Sequence, residues 1–211
     1  MSEAKDHTPA YHRRKAERPA EILQAALEEF HTYGYTAARL DRIARRAGVS
    51  RGTVYIYYDN KDALFDAVAE QAMGTFVDEV AHTAVSFAGT TEDLLRQVLR
   101  RFYDMVTTTK NSALLRILIS EGPSRPELVQ RYHAQVIRRG HAALEQVIAR
   151  GIKRGEVRDG PAARFPQMLI APAMFYVIHT MVFGDLEKLD VDAYLEGHID
   201  MLTNGLGLSP A

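Results

Sequence analysis

The 211-residue chain has no cysteine, which excludes disulfides, thiolate-bound zinc and a cysteine nucleophile, and suits a reducing compartment. It also lacks a His-Glu-x-x-His metal motif, a Gly-x-Ser-x-Gly nucleophile turn and a phosphate-binding glycine loop; Gly205-Leu206-Gly207 is only a fragment of one. No spacing pairs a nucleophile with a base, so no catalytic residues are expected. The opening MSEAKDHTPAYHRRKAER holds no apolar stretch of the kind a secretory signal needs, and the expected location is the cytoplasm. The apolar run from Phe165 to Phe183 is interrupted by Pro172, His179 and Thr180 and falls short of the ~18 to 20 apolar residues that a bilayer core requires, so no membrane partner is expected. There is no internal repeat, no low-complexity tract and no alternating apolar run long enough for a sheet.

A chain of this length buries roughly 70% of its unfolded surface and folds without covalent staples. Net charge is −1, but it is unevenly spread: residues 1–61 carry eleven Lys and Arg against eight Asp and Glu, and the remainder fifteen against nineteen. A basic end and an acidic remainder are what contact with a polyanion at one end would produce.

That basic end contains LDRIARRAGVSRGTVYIYYDNK, residues 40 to 61. Leu40, Ile43, Ala44 and Ala47 recur at helical spacing, with Arg39, Arg42, Arg45 and Arg46 on the opposite side. Gly48 suits a left-handed C-cap, and Ser50 suits the N-cap of a second short helix beginning at Arg51. Two helices joined by a tight glycine turn make a helix-turn-helix. On the second helix Arg51, Gly52, Thr53, Tyr55 and Tyr57 leave Val54 and Tyr58 as the clear core anchors, so the face is free to meet base edges: Arg51 to pair with guanine, the Thr53 methyl to touch thymine. Asn60 suits the cap of the next helix, which places Lys61 where a phosphate is attracted.

The stretch AGVSRGTVYIYYDNKDALF, preceded by ILQAALEEFHTYGYTA, resembles the DNA-binding domain of the TetR/AcrR family of bacterial repressors, specifically over about residues 20 to 66. The resemblance implies base contacts by Arg51, Gly52, Thr53 and the outward side of Tyr55, and phosphate contacts by Tyr57 and Lys61. Arg42 and Arg46 on the preceding helix join this expected interface with double-stranded DNA. One departure stands out: the family often has a Ser or Thr capping the first of the two helices, and this chain has Ala38 and Arg39 there, with Thr36 a poorly placed substitute.

The expected organisation is a flexible basic arm over 1–18, a helix-turn-helix domain over 19–60 and a helical effector-binding and dimerisation domain over 61–211. The first helix should run from Pro19 to Tyr33 with Gly34 as its stop, and the fourth from Lys61 to Ala84 or beyond. Thr91 is the expected cap of the helix carrying Leu94, Val98 and Phe102. The segment from Phe165 to Phe183, apolar almost all round, should be buried on more than one side and, with a last helix from Val191 to Leu206, pair with a second copy in a four-helix bundle. Phe175, Val182, Tyr194 and Met201 are the candidate interface residues. A pocket for an unidentified small-molecule effector is expected among Phe102, Met105, Leu118, Tyr132, Phe175 and His179, the last being the polar group most in need of a partner.

Two Glu-x-x-His pairs, Glu28 with His31 and Glu79 with His82, have the spacing of a di-iron bundle, but Glu28 and His31 lie opposite Ile22, Ala26 and Phe30 and so point to solvent; no metal ligands and no cofactor are expected. The sequence thus reads as an all-α, homodimeric transcriptional regulator of about nine helices, a repressor released by its ligand. An activator, a nucleoid-organising protein, a helical ligand carrier and a metal-dependent enzyme are the alternatives.

Overall fold

The computed structural model describes the backbone of residues 8–108 and 111–204, with side chains from residue 17. The described residues form eleven α-helices, with no strand among them. In order they are α1 Thr8–Ala37, α2 Leu40–Arg46, α3 Arg51–Tyr57, α4 Lys61–Ala69, α5 Thr75–Ser86, α6 Thr91–Thr108, α7 Ser112–Glu121, α8 Pro126–Tyr132, α9 Arg138–Lys153, α10 Ala171–Phe183 and α11 Val191–Asn204. A π-helical turn, Glu70–Gly74, joins α4 to α5, and another, His133–Ile137, joins α8 to α9. Counting each joined pair once gives the nine helices expected.

The chain forms two compact units, one of residues 1–71 with 113–128 and one of 72–112 with 129–211. The division falls inside the turn Glu70–Gly74 rather than at residue 60, and α7 goes with the first unit. In that unit Ile22, Leu23, Ala26 and Phe30 of α1 are buried with Ile43 and Ala44 of α2, Val54 of α3 and Leu64, Phe65 and Val68 of α4. The rings of Phe30, Tyr35 and Phe65 meet with centroids 5.5 to 5.8 Å apart. Val54 is the one buried residue of α3, so a single valine, worth about 1.5 kcal/mol buried, anchors that helix while its other faces stay free.

Caps follow the sequence closely here. Gly48 sits at φ 67 after α2, with Val49 N–H on Ala44 O and Gly48 N–H on Arg45 O, the paired bonds that close a helix through a left-handed residue. Ser50 accepts from Thr53 N–H at 3.0 Å, and Asn60 accepts from Ala63 N–H at 2.8 Å.

In the second unit α5, α6 and α9 enclose Val77, Val80, Ala84, Leu94, Leu95, Val98, Ala143 and Val147. Beside this core, Tyr103 of α6 packs against Tyr176 of α10 and against Tyr194 and His198 of α11. The Tyr103 hydroxyl and His198 Nδ1 share a buried hydrogen bond of 3.2 Å. Burial pushes the His198 pKa down, against a weaker opposing influence of the Leu169 backbone.

Three expectations are corrected. The arm over 1–18 is helical from Thr8 onward, continuous with α1, and Pro19 removes only one N–H from that helix; residues 1–7 lie outside the described residues. Thr90, not Thr91, caps α6: its hydroxyl accepts from Asp93 N–H at 3.1 Å while the Asp93 carboxylate takes Thr90 N–H at 3.2 Å. Thr91 is buried and binds Glu156 instead. The stretch ahead of α10 is two 3-10 turns, Pro161–Arg164 and Pro166–Leu169, each opened by a proline that lacks a helical N–H donor. The α10 helix buries Ala173, Tyr176 and Val177 and leaves Phe175, Ile178, Val182 and Phe183 exposed.

Candidate nucleic-acid interface

The outer face of α3 carries Arg51, Gly52, Tyr55 and Ile56 exposed, with Thr53 and Tyr57 half-buried beside them. Ile56, 79% exposed, escaped the sequence reading. Its position three residues beyond Thr53 on a seven-residue helix was the available signal. An apolar tip of this kind matches the thymine methyl in a major groove. The Ser50 cap also touches Thr53 through its hydroxyl, at 2.8 Å, so the first turn of α3 is fixed where a recognition helix meets bases. Arg51 is held from two sides: Nη1 lies 3.1 Å from Asp41 Oδ1, and Nη2 donates to the Tyr55 hydroxyl at 3.1 Å.

The cations expected on phosphates are used otherwise. Arg42 donates from Nε to Glu29 at 2.6 Å and from Nη2 to Ala37 O at 2.6 Å, and its guanidinium lies 4.2 Å from the Tyr33 ring centroid. Glu29 is fully buried and also accepts Arg39 N–H at 3.1 Å, which supplies the cap that α2 lacks at Ala38 and Arg39. Arg42 is thus the counter-charge of the buried Glu29. Arg46 keeps part of its surface free but pairs with Glu28 at 2.8 Å.

Lys61 is likewise engaged within the chain. Its ammonium donates to the carbonyls of Tyr35, Thr36 and Ala38 at 2.8, 3.1 and 3.3 Å, which uses all three of its donors. Burial, then the Arg125 charge, lower its pKa against the opposing pull of Glu121 and Asp62. At the other end of the same short turn, Glu121 of α7 accepts the N–H groups of Tyr35 (2.8 Å) and Thr36 (2.9 Å), and the Thr36 hydroxyl as well. Thr36 is thereby occupied and does not replace the missing cap of α2. Gly34, at φ 74, makes room for this arrangement, since a β-carbon there would lie 3.1 Å from Glu121 Oε1. Burial pushes the Glu121 carboxyl up, yet Thr36, Tyr35 and Arg125 together hold it below the usual carboxylate range. Among the described residues Arg39, just ahead of α2, and Arg45 on it are exposed and form no side-chain ion pair.

Of the expected effector residues, Leu118 belongs to the first unit and the other five to the second. Phe102 is buried against Phe76 and Tyr103, and burial drives the Tyr132 hydroxyl up to about 12. Met105 is half-buried on α6. Phe175 is 57% exposed, and the largely buried His179 ring lies between those of Phe175 and Phe183 with Nε2 3.4 Å from Glu187. A cleft of about 250 Å³ runs along α5 and α6, floored by Phe76, Val80 and Val98 and rimmed by Glu79, Arg100, Arg101 and Asp104, none of them an expected pocket residue. Of the interface residues, Phe175, Val182 and Met201 are exposed; Tyr194 instead packs on Tyr103 and Tyr176 and donates to Pro172 O. No group of three potential metal ligands occurs among the described residues, and no described helix is long and apolar enough to cross a membrane.

A capped, exposed recognition helix on an all-α frame, followed by a larger helical unit, defines a helix-turn-helix DNA-binding regulator. Residues 22–68 match the model of the bacterial regulatory proteins of the tetR family, and residues 88–200 match the tetracyclin repressor-like C-terminal domain. The chain belongs to the TetR family of DNA-binding transcriptional regulators. It is 25% identical over 194 residues to the fatty acid metabolism regulator protein of Bacillus subtilis, covering 91% of this chain and 98% of that one. It is 30% identical over 161 residues to an HTH-type transcriptional repressor of Streptomyces coelicolor, covering 75% and 78%. Among solved structures, FadR from Bacillus subtilis in complex with stearoyl-CoA shares the fold with a TM-score of 0.77 at 23% identity, over 89% of this chain and 98% of that one.

Proposed function

We propose that this regulator is a repressor that binds a near-palindromic duplex operator as a homodimer and releases it when a small-molecule effector binds the second unit. The observation that carries the DNA reading is the α3 face, where Arg51, Thr53, Tyr55 and Ile56 stand out from a helix whose one buried residue is Val54. Base contacts go to Arg51, Gly52, Thr53, Tyr55 and Ile56, and phosphate contacts to Tyr57, Arg39, Arg45 and the free side of Arg46. Two copies of α3 would enter successive major grooves about 34 to 36 Å apart.

The exposed row Phe175, Ile178, Val182 and Phe183, with Met201 on α11, supports a second copy as the cover of that face. Phe175→Asp is expected to yield monomers with weakened operator binding; an unchanged dimer mass in ultracentrifugation removes this assignment. The relationship to a regulator solved with stearoyl-CoA makes a long-chain acyl-CoA the ligand to test first. Such a ligand must bind the DNA-incompetent form more tightly, because otherwise no equilibrium shifts.

The test is selection of bound fragments from genomic DNA, followed by titration of the selected site with stearoyl-CoA and with CoA alone. A salt-sensitive preference for one duplex, relieved by the acyl thioester only, is the expected result. No preference for any duplex would sink the DNA reading, whereas a preference untouched by stearoyl-CoA would reject the ligand class alone. In a promoter reporter, loss of the protein should raise output; a fall would mark an activator.

A further inference from the structure

Asp41 is the single carboxylate between Phe30 and Tyr58, a stretch that holds five arginines and presents α2 and α3. A negative charge there repels phosphates, so its presence at this face calls for a compensating use. Its place in the first turn of α2 favours the helix through the backbone dipole, which accounts for an acidic residue but not for where its oxygens lie. They lie 3.1 and 3.4 Å from Nη1 of Arg51, the first residue of α3, across the glycine turn. On its other side the same guanidinium donates to the Tyr55 hydroxyl at 3.1 Å and lies 5.5 Å from the Tyr55 ring centroid. Arg51 and Asp41 are both more than half exposed, at 57% and 56%, so no burial forces this alignment.

We infer that Asp41 is a positioning residue for base reading, which together with Tyr55 holds Arg51 in one orientation and so sets the sharpness of its preference for guanine. Two of the five guanidinium N–H groups are engaged in this way and three remain, enough for the paired contact that guanine O6 and N7 accept. A long side chain held at two points loses less freedom when it meets its base and samples fewer alternative bases. The carboxylate also penalises misplacement, because Arg51 swung away towards a phosphate leaves Asp41 unpaired beside the polyanion. This inference rests on Arg51 reading a base.

Duplexes randomised across the selected operator would be bound by the full-length wild type, Arg51→Ala, Asp41→Ala, Asp41→Asn and the Asp41→Ala/Arg51→Ala double variant. Arg51→Ala should flatten the preference at one base pair of each half-site. Asp41→Ala should weaken it at that same base pair, by about three- to tenfold, a fraction of what a paired arginine contact supplies. Its affinity for random duplex should stay equal or rise, and the double variant should lose nothing beyond Arg51→Ala. Asp41→Asn keeps an acceptor oxygen and should fall between, and it carries the test if the alanine variant folds poorly. An Asp41→Ala protein with undiminished preference at that base pair, or with equal loss at every position, overturns the inference. If Arg51→Ala itself changes no base preference, the reading of Arg51 has failed, and that outcome is distinct because it appears without any Asp41 substitution.

Discussion

The corner between α1 and α2 and the face of α3 are both rich in cations, yet they use them in opposite ways. At the corner, Arg42 is matched to the buried Glu29 and Lys61 to three backbone carbonyls, so these charges hold the fold. On α3, Arg51 is held only by exposed groups and keeps most of its donors for a partner outside the chain. Electrostatic attraction to DNA is therefore a property of which cations are left over, not of how many the domain contains.

Arg42→Met tests the corner most severely, because it leaves the Glu29 carboxylate buried without its counter-charge. It should cost about 3 kcal/mol in urea unfolding. An unchanged midpoint with weaker DNA binding would return Arg42 to the phosphates and erase the contrast. Next in size, Arg51→Ala should lose about 2 kcal/mol of discrimination at one base pair. Its unfolding free energy should stay within about 0.5 kcal/mol of wild type, as for an exposed side chain.

Lys61→Ala should cost about 1.5 kcal/mol of stability by stranding carbonyls at the end of α1. The slope of log affinity against log salt should not change, because no phosphate contact is removed. A slope reduced by about one per subunit would show that Lys61 leaves its carbonyls for a phosphate when DNA is bound.

The smallest effect sharpens the contrast from the second unit, where Glu156 accepts the N–H and hydroxyl of Thr91 much as Glu121 does those of Thr36. The Thr91 hydroxyl, then Arg154, draw the Glu156 carboxyl from 4.5 to about 2. Its folded pKa lies below its unfolded one, so its contribution is complete above about pH 4.5 and fades as pH falls towards 2. Glu156→Gln should lower the unfolding midpoint at neutral pH, where the carboxylate contributes in full, and its difference from wild type should shrink as pH falls from about 4.5 towards 2.

Much of this architecture was legible in the sequence because its determinants are local. Helical spacing marked most elements, and Gly48, Ser50 and Asn60 mark their ends by chemistry that acts within a few residues. The helix-turn-helix resemblance pointed to the recognition helix for the same reason. What escaped depends on partners far apart in the chain. Nothing in the spacing of Arg42 or Lys61 reveals that Glu29 or the carbonyls after Gly34 await them, and Glu121 reaches the α1 turn from α7. Thr90 and Thr91 are adjacent and chemically alike; Glu156, from beyond α9, decides that the second is buried and the first caps. Tyr194 packs on Tyr176 inside the second unit and His179 beside Phe183 because helical periodicity gives a face but not what that face meets.

The bend at Gly34 ties two distant stretches of chain to a single missing methyl group. Alanine at that position would strain the backbone and crowd the carboxylate that anchors the following turn. A lesion in plain view on α1 would then be felt first as a loosened grip by α7, and a search for suppressors would do well to begin there.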